Sequence, residues 1–152
     1  MASEQPGAQP VPANQVDPLG NAGRVFRHEL SVRYGECDAQ GVVFNANYLA
    51  YCDHTMDEFL RAVLPPQDDF ELMLKAANLV WHAPMRYREV VVMECGVVRW
   101  GTTSMDLHFR GRVGDQVRFE ATITYVAVAD PKGSARPRPI DDEIRAAFDA
   151  TR

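Results

Sequence analysis

Apolar and polar side chains alternate in the first patterned stretch of the chain, RVFRHELSVRY at residues 24–34. One side of the alternation holds Phe26, His28, Leu30, Val32 and Tyr34, and the other holds Arg27, Glu29, Ser31 and Arg33. Successive side chains of a strand point to opposite faces of a sheet, so a period of two indicates a strand with one buried face. The pattern predicts a half-buried strand that runs directly into a loop around Asp38.

Beyond that loop the apolar residues recur at spacings of three and four, which is typical of an amphipathic helix. The recurring positions are Leu49, Cys52, Met56, Phe59, Leu60 and Val63. They predict a helix over Asn47–Leu64, with Asn45 or Asn47 as its N-cap, that ends before Pro65. Its solvated side carries Asp57 and Arg61, whose i, i+4 spacing supports a helix.

Strand patterns dominate the rest of the chain. Residues 66–75 are predicted to form a connector, with a short helix over Phe70–Ala77. Stretches rich in Val, Thr and aromatic residues predict strands over 79–87, 90–100, 102–112 and 116–129. A terminal helix, DDEIRAAFDA, would follow with Asp141 as its cap. We therefore predict an α+β fold, in which an antiparallel sheet of about five strands in meander-like succession wraps around one long central helix.

The first 23 residues lack this periodicity and are rich in Pro, Gln, Ala and Asn, which predicts a disordered N-terminal leader. A single domain would then occupy residues 24–152. The leader has neither the basic start nor the apolar stretch of a signal peptide, and no apolar run reaches the ~20 residues of a membrane helix. We expect a cytoplasmic protein that does not insert into membranes.

Charge and motif content exclude several classes of function. A formal net charge of −5 and pI near 5.3 offer no electrostatic footprint for nucleic acid. Three cysteines without CxxC spacing and four histidines without HxxxH spacing argue against a metal site. The chain also has no GxSxG elbow, P-loop or GxGxxG, the motifs of serine hydrolases and nucleotide enzymes. We therefore predict no metal and no bound cofactor.

The candidate chemistry is concentrated in YGECDAQGVVFNANY, residues 34–48. Asp38 occupies the loop between strand and helix, Gly41 follows three residues later, and the predicted helix begins close by. Free N–H groups at a helix start are positively polarised and could stabilise developing negative charge. A plain structural alternative is that Asp38 caps a turn through its side chain, as loop aspartates commonly do.

The longer stretch YGECDAQGVVFNANYLAYCDHTMDEFLRA resembles the signature of hotdog-fold acyl-CoA thioesterases, in the group of 4-hydroxybenzoyl-CoA thioesterase and the Tol-Pal-associated thioesterases. The likeness extends at lower specificity over residues 24–140. It implies that Asp38 is the catalytic carboxylate, acting as a nucleophile or as a general base for water. It also implies that the backbone amide near Asn45, where relatives often have His or Tyr, is the oxyanion donor.

The same resemblance implies an acyl-CoA substrate, aromatic or short-chain, and a homodimer or a dimer of dimers with shared sites. Acyl-group contacts are expected from Gly41, Val42, Phe44, Asn47 and Tyr48, and phosphate contacts of coenzyme A from Arg110 and Arg112. Coenzyme A would be part of the substrate and no separate cofactor. One alternative is a non-catalytic hotdog module that binds acyl-CoA or an acyl carrier protein as a sensor. A hotdog dehydratase would need a histidine in the site, and this loop has none.

Overall fold

The computed structural model describes residues 17–150. Two helices and six strands are present in this part of the chain: β1 Phe26–Ser31, α1 Asn45–Val63, β2 Glu71–Trp81, β3 Val90–Trp100, β4 Ser104–Val113, β5 Gln116–Ala129, β6 Arg136–Pro137 and α2 Asp142–Asp149. Short 3-10 turns cover Pro18–Asn21 and Tyr34–Glu36.

The strands form one antiparallel sheet in the order β1-β3-β4-β5-β2, and β6 adds a two-residue pairing to β5. The long helix α1 packs its buried face against the inward residues of the sheet, and together they form one hydrophobic core. This confirms the predicted α+β architecture of a sheet around one long helix. The bounds of β3 and β5 also agree with the prediction.

The core follows the predicted alternation. Met105, Leu107 and Phe109 of β4 are fully buried against α1, as are the inward residues of β5. From the helix, the buried side chains are Tyr48, Tyr51, Cys52, Thr55, Met56 and Phe59. One end of the core is closed by α2, whose Phe148 packs edge-on against Phe59 with ring centroids 4.9 Å apart.

The predicted helix over Phe70–Ala77 is wrong, and the predicted connector ends at residue 70. Residues 66–77 contain no helix, and β2 begins at Glu71 and pairs with β5 along its length. Leu, Met, Lys and Ala are good helix formers, so the local composition favours a helix until the sheet offers a partner strand. The predicted meander holds for β3, β4 and β5, whereas β2 lies at the far edge of the sheet, and residues 82–89 cross back to β3.

The start of α1 also differs from the prediction. Phe44, and neither predicted asparagine, occupies the N-cap position of α1, and the helix begins at Asn45. Residues 17–23, which the prediction assigns to the leader, lie against the folded part of the chain: Leu19 is buried, and a Cβ atom at Gly96 of β3 would lie 2.7 Å from Ala22 Cβ. Residues 1–16 of the predicted leader lie outside the described residues. The terminal helix follows Asp141 as predicted.

Gly111 of β4 makes room for an aromatic ring that reaches the candidate site. A Cβ atom at this position would lie 2.2 Å from the ring of Phe119, its partner on β5. That ring packs edge-on against Tyr48, with centroids 4.9 Å apart. The absence of a side chain at residue 111 therefore determines how α1 sits on the sheet at this end.

We expect Gly111→Ala to lower the free energy of unfolding by ~1–3 kcal/mol, since the buried ring has to shift to admit a methyl group. Chemical denaturation monitored by far-UV circular dichroism measures the change. Gly20→Ala is the control, because a Cβ atom there meets nothing within 4 Å. An equal stability for the two variants would contradict the close packing of Phe119.

Candidate active site

Asp38 lies in a tight hairpin between the Tyr34–Glu36 turn and the start of α1. The Asp38 N–H donates to Val42 O at 2.9 Å, and the Gly41 N–H donates to Asp38 O at 3.0 Å. Gly41 has φ +77°, a left-handed conformation that glycine adopts at little cost. A Cβ atom at Gly41 would meet nothing within 4 Å, so the turn itself, rather than close contact, requires glycine here.

The two oxygens of the Asp38 carboxylate have different surroundings. Oδ1 accepts a hydrogen bond of 2.8 Å from the Gln40 N–H, which is the turn-capping contact of the plain alternative. Oδ2 has no hydrogen-bond partner among residues 17–150. Because the side chain is only half-buried, this second oxygen is open to water or to a ligand. A turn cap and a reactive carboxylate are therefore compatible in one residue.

Glu36 fastens this hairpin to the helix. Its carbonyl oxygen accepts from the Phe44 N–H at 2.9 Å and from Asn47 Nδ2 at 2.8 Å. Its carboxylate accepts a short hydrogen bond from the Tyr51 hydroxyl and pairs with Arg33 Nε at 2.5 Å. Burial opposes ionisation of Glu36, but the hydrogen bonds from Tyr51 and Arg33 outweigh it and lower its pKa.

A second segment supports the hairpin from the other side. Val42 bridges to Arg86, and the Val43 N–H donates to Met85 O at 2.8 Å. The Met85 N–H in turn donates to the hydroxyl of the buried Tyr48 at 3.3 Å. Arg118 holds this segment in place, since it donates to Pro84 O and forms a 2.8 Å ion pair with Glu89.

The predicted acyl-contact residues fall into two groups. Gly41, Val42 and Phe44 belong to the hairpin and the helix start, and Phe44 is 52% exposed. Asn47 and Tyr48 use their polar atoms within the protein, so their side chains position the loop. Asn45 is the first residue of α1 and is exposed, and its N–H has no acceptor within the described chain. Such an N–H is free to donate, as helix starts generally allow.

Arg110 and Arg112, the predicted phosphate contacts, bind a buried carboxylate. Both donate to Glu94 Oε1, at 3.2 and 2.7 Å, and Arg27 reaches Oε2 at 3.3 Å. Burial disfavours the charge on Glu94, but the hydrogen bonds from Arg112 and Arg110 lower its pKa. The ion cluster lies on the outer face of the sheet, opposite α1. The role of Arg110 and Arg112 in coenzyme A binding stays a prediction.

Residues 17–150 contain no group of three or more His, Cys, Asp or Glu side chains that could hold a metal ion. Within the same range no helix combines the length and apolar character needed to cross a bilayer.

Comparison with known proteins places the chain in a family. A model of the thioesterase-like superfamily matches residues 32–148. The acyl-CoA thioesterase YbgC of Helicobacter pylori is 31% identical over 62 residues, which are 40% of this chain and 47% of that protein. This chain thus spans about half the length of the curated relatives it matches.

Solved structures share the fold. A 4-hydroxybenzoyl-CoA thioesterase variant, solved with 4-hydroxybenzoyl-CoA, superposes with a TM-score of 0.75 at 17% identity, over 82% of this chain and 99% of that one. A 1,4-dihydroxy-2-naphthoyl-CoA thioesterase from Synechocystis gives 0.71 at 20% identity, over 82% and 96%. The sheet around α1 is therefore the hotdog fold of thioesterases, and the chain belongs to the thioesterase-like superfamily.

Sequence reasoning missed the residues that position the site. Glu36 stands two residues before Asp38 in the quoted motif, and Tyr51 stands four after Asn47 on the same face of α1. That spacing is the signal that could have placed Tyr51 beside the loop. No sequence signal shows that Met85 reaches the hairpin or that Arg118 supports the segment of Met85, since both contacts join residues far apart in the chain.

We expect Glu36→Gln to destabilise the protein by ~1–3 kcal/mol at pH 7, the cost of losing hydrogen bonds to a charged group. The folded-state pKa of Glu36 is lowered, so its contribution is present above the unfolded pKa of about 4.3 and is lost as pH falls through the folded value. Unfolding measured at several pH values should therefore show the difference between wild type and variant shrinking in acid. Tyr51→Phe removes one hydrogen-bond donor to Glu36 and should show a smaller loss of stability with the same pH dependence. A difference in stability that is constant with pH would show that the ionised carboxylate of Glu36 does not contribute in this way.

Proposed function

We propose that this protein is an acyl-CoA thioesterase, which hydrolyses a thioester to a carboxylic acid and free coenzyme A. The observation that carries the proposal is the Asp38 hairpin, which holds a half-buried carboxylate with one unpartnered oxygen beside the open start of a helix. The family membership and the names of the relatives support it. Aromatic acyl groups are the first choice of substrate, because three of the structural neighbours are named for aryl-CoA substrates.

The chemistry needs only groups of this kind. As a general base, Asp38 takes a proton from water while the water oxygen attacks the thioester carbon. The carbon–sulfur bond then breaks, and the proton passes to the departing thiolate. As a nucleophile, Asp38 instead attacks the thioester carbon, and the carbon–sulfur bond breaks to release the thiolate of coenzyme A. Water then hydrolyses the resulting mixed anhydride, which releases the carboxylic acid and restores Asp38. In either case the carbonyl oxygen gains negative charge, and the free N–H of Asn45 is the proposed donor to it.

The variant Asp38→Asn tests this proposal. An asparagine side chain retains an oxygen that can accept the Gln40 N–H, so the turn is expected to persist while the charge is lost. Thiol release from aryl-CoA, short-chain and long-chain acyl-CoA substrates should fall ~100-fold or more, a loss of at least about 2.7 kcal/mol of transition-state stabilisation. Asp57→Asn, at an exposed ion pair on α1, is the matched control and should keep wild-type turnover.

Either of two results would overturn this assignment. Wild-type turnover that Asp38→Asn leaves intact would remove Asp38 from the chemistry. Absence of thiol release from every substrate, with acyl-CoA bound equally well by wild type and variant, would instead favour the non-catalytic binding module.

The three cysteines are free thiols, which is consistent with the cytoplasmic location that belongs to this proposal.

A homodimer through the β2 edge is part of the same proposal. Leu74 and Trp81 pair with Tyr125 and Phe119, whose side chains are buried under α1. Leu74 and Trp81 themselves are 41% and 49% exposed, because β2 is the edge strand and the helix does not cover it. An unpaired edge with apolar side chains favours addition of a second copy. Trp81 contacts Tyr48 with ring centroids 6.0 Å apart, so a partner at this edge would lie beside the site.

We expect the wild type to elute with the mass of a dimer or a dimer of dimers in size-exclusion chromatography with light scattering. Leu74→Glu should shift the mass towards the monomer, since it places a charge in the proposed apolar contact. Glu71→Gln, at an exposed position of the same strand, is the control for changed charge. A monomeric wild type would exclude the edge as an assembly surface, and a Leu74→Glu variant of unchanged mass would place the interface elsewhere.

A further inference from the structure

An exposed surface of two tyrosines and two arginines lies next to the candidate site. We define this aromatic–arginine patch by Tyr34, Tyr87, Arg86 and Arg88. Tyr34 is 79% exposed and Tyr87 is 45% exposed, and their rings meet edge-on with centroids 5.7 Å apart. The Arg88 guanidinium lies over the Tyr87 ring at 5.1 Å from its centroid. Exposed apolar surfaces that are contiguous, as these two rings in contact are, commonly mark interaction sites.

The backbone joins the patch to the Asp38 hairpin. Val42 of the hairpin bridges to Arg86, and the Glu89 N–H donates to Arg86 O at 3.1 Å to close a turn. Arg88 occupies that turn with φ +68°, and its N–H donates to Val32 O at 3.0 Å. A left-handed conformation is costly for a residue with a side chain, and such strain is often found at functional sites. The patch is therefore held in a fixed place beside Asp38.

The guanidinium groups of the two patch arginines form no ion pair within the described chain, although the backbone N–H of Arg86 donates to Glu89 Oε1 at 2.7 Å. Neither guanidinium has a carboxylate within 4 Å among residues 17–150, although other arginines do. Glu94 binds Arg110 and Arg112, Glu89 binds Arg118, and Glu36 binds Arg33. In a chain with a net charge of −5, two uncompensated cations beside a catalytic loop point to an anionic ligand.

We propose that the aromatic–arginine patch binds the nucleotide end of coenzyme A, with the adenine on the tyrosines and the phosphates on Arg86 and Arg88. This inference rests on the proposed thioesterase function and replaces Arg110 and Arg112 as the phosphate contacts. A base stacks on any aromatic face, and guanidinium groups bind phosphate oxygens in bidentate geometry. The combination of exposed rings and free arginines matches a nucleotide better than it matches an acyl chain, which would need an apolar cleft.

The test compares full acyl-CoA with the same acyl group on N-acetylcysteamine, which keeps the thioester and lacks the nucleotide. For Tyr34→Ala, and for the double variant Arg86→Gln with Arg88→Gln, we measure kcat/KM on both substrates. The ratio of the acyl-CoA value to the N-acetylcysteamine value should fall about 10-fold or more, through KM. Tyr34→Phe keeps the ring and should restore the ratio. Arg61→Gln, an exposed arginine on α1, is the charge control.

Salt gives an independent readout. Phosphate contacts to exposed guanidinium groups are screened within about 10 Å at 0.1 M ionic strength. KM for acyl-CoA should therefore rise with salt in the wild type and rise less in the double arginine variant. Calorimetric titration with free coenzyme A and with pantetheine completes the test, because it needs no turnover. The patch variants should bind coenzyme A more weakly than the wild type does, with a dissociation constant close to the one for pantetheine.

The outcomes separate the two proposals. If the wild type releases thiol from neither substrate, the proposed function fails, and the titration still decides whether the patch binds the nucleotide. If both substrates are cleaved but the ratio and the coenzyme A affinity do not change in the variants, the patch assignment is overturned. A change of molecular mass in the variants, with the ratio unaltered, would show instead that the patch is an interface between copies of this chain.

Discussion

The candidate site depends on the bonds that Glu36 makes at both of its ends. Its carbonyl joins the first turn of α1 through Phe44 and Asn47, and its carboxylate joins the helix one turn further on through Tyr51. The hairpin is short, so once Glu36 is fixed the position of Asp38 two residues later is largely fixed as well. A loop with few contacts of its own can still hold a side chain in an accurate position when a rigid scaffold fixes the loop.

The opposing support from residues 84–89 explains why the crossing segment matters. Met85 bonds both to the hairpin backbone and to the Tyr48 hydroxyl, and Tyr48 packs on Phe119. The chain from the sheet through Phe119, Tyr48 and Met85 to the hairpin is thus continuous. Burial and hydrogen bonding act together here, since the aromatic contacts exclude water from the polar bonds and make their loss more costly.

Much of the fold could be predicted because α1 and β3 to β5 bury one face, and burial produces a regular period in sequence. The segment of β2 could not, since its exposed edge position removes the alternation, and its Leu, Met and Ala residues favour a helix locally. At the site, Asp38 stands out through its motif, whereas Tyr51 and Met85 are ordinary apolar positions along the chain. Their role depends on contacts between distant residues, which no local pattern records.

The net charge of the chain does not describe the electrostatic field at each part of its surface, because individual arginines have different partners. On the outer face of the sheet, the Glu94 side chain is 6% exposed and binds three arginines, so these guanidinium groups already have a partner within the protein. Arg86 and Arg88 have no such partner among residues 17–150. The proposed nucleotide contact therefore relies on the local field of these two guanidinium groups, which acts although the molecule as a whole carries a net charge of −5.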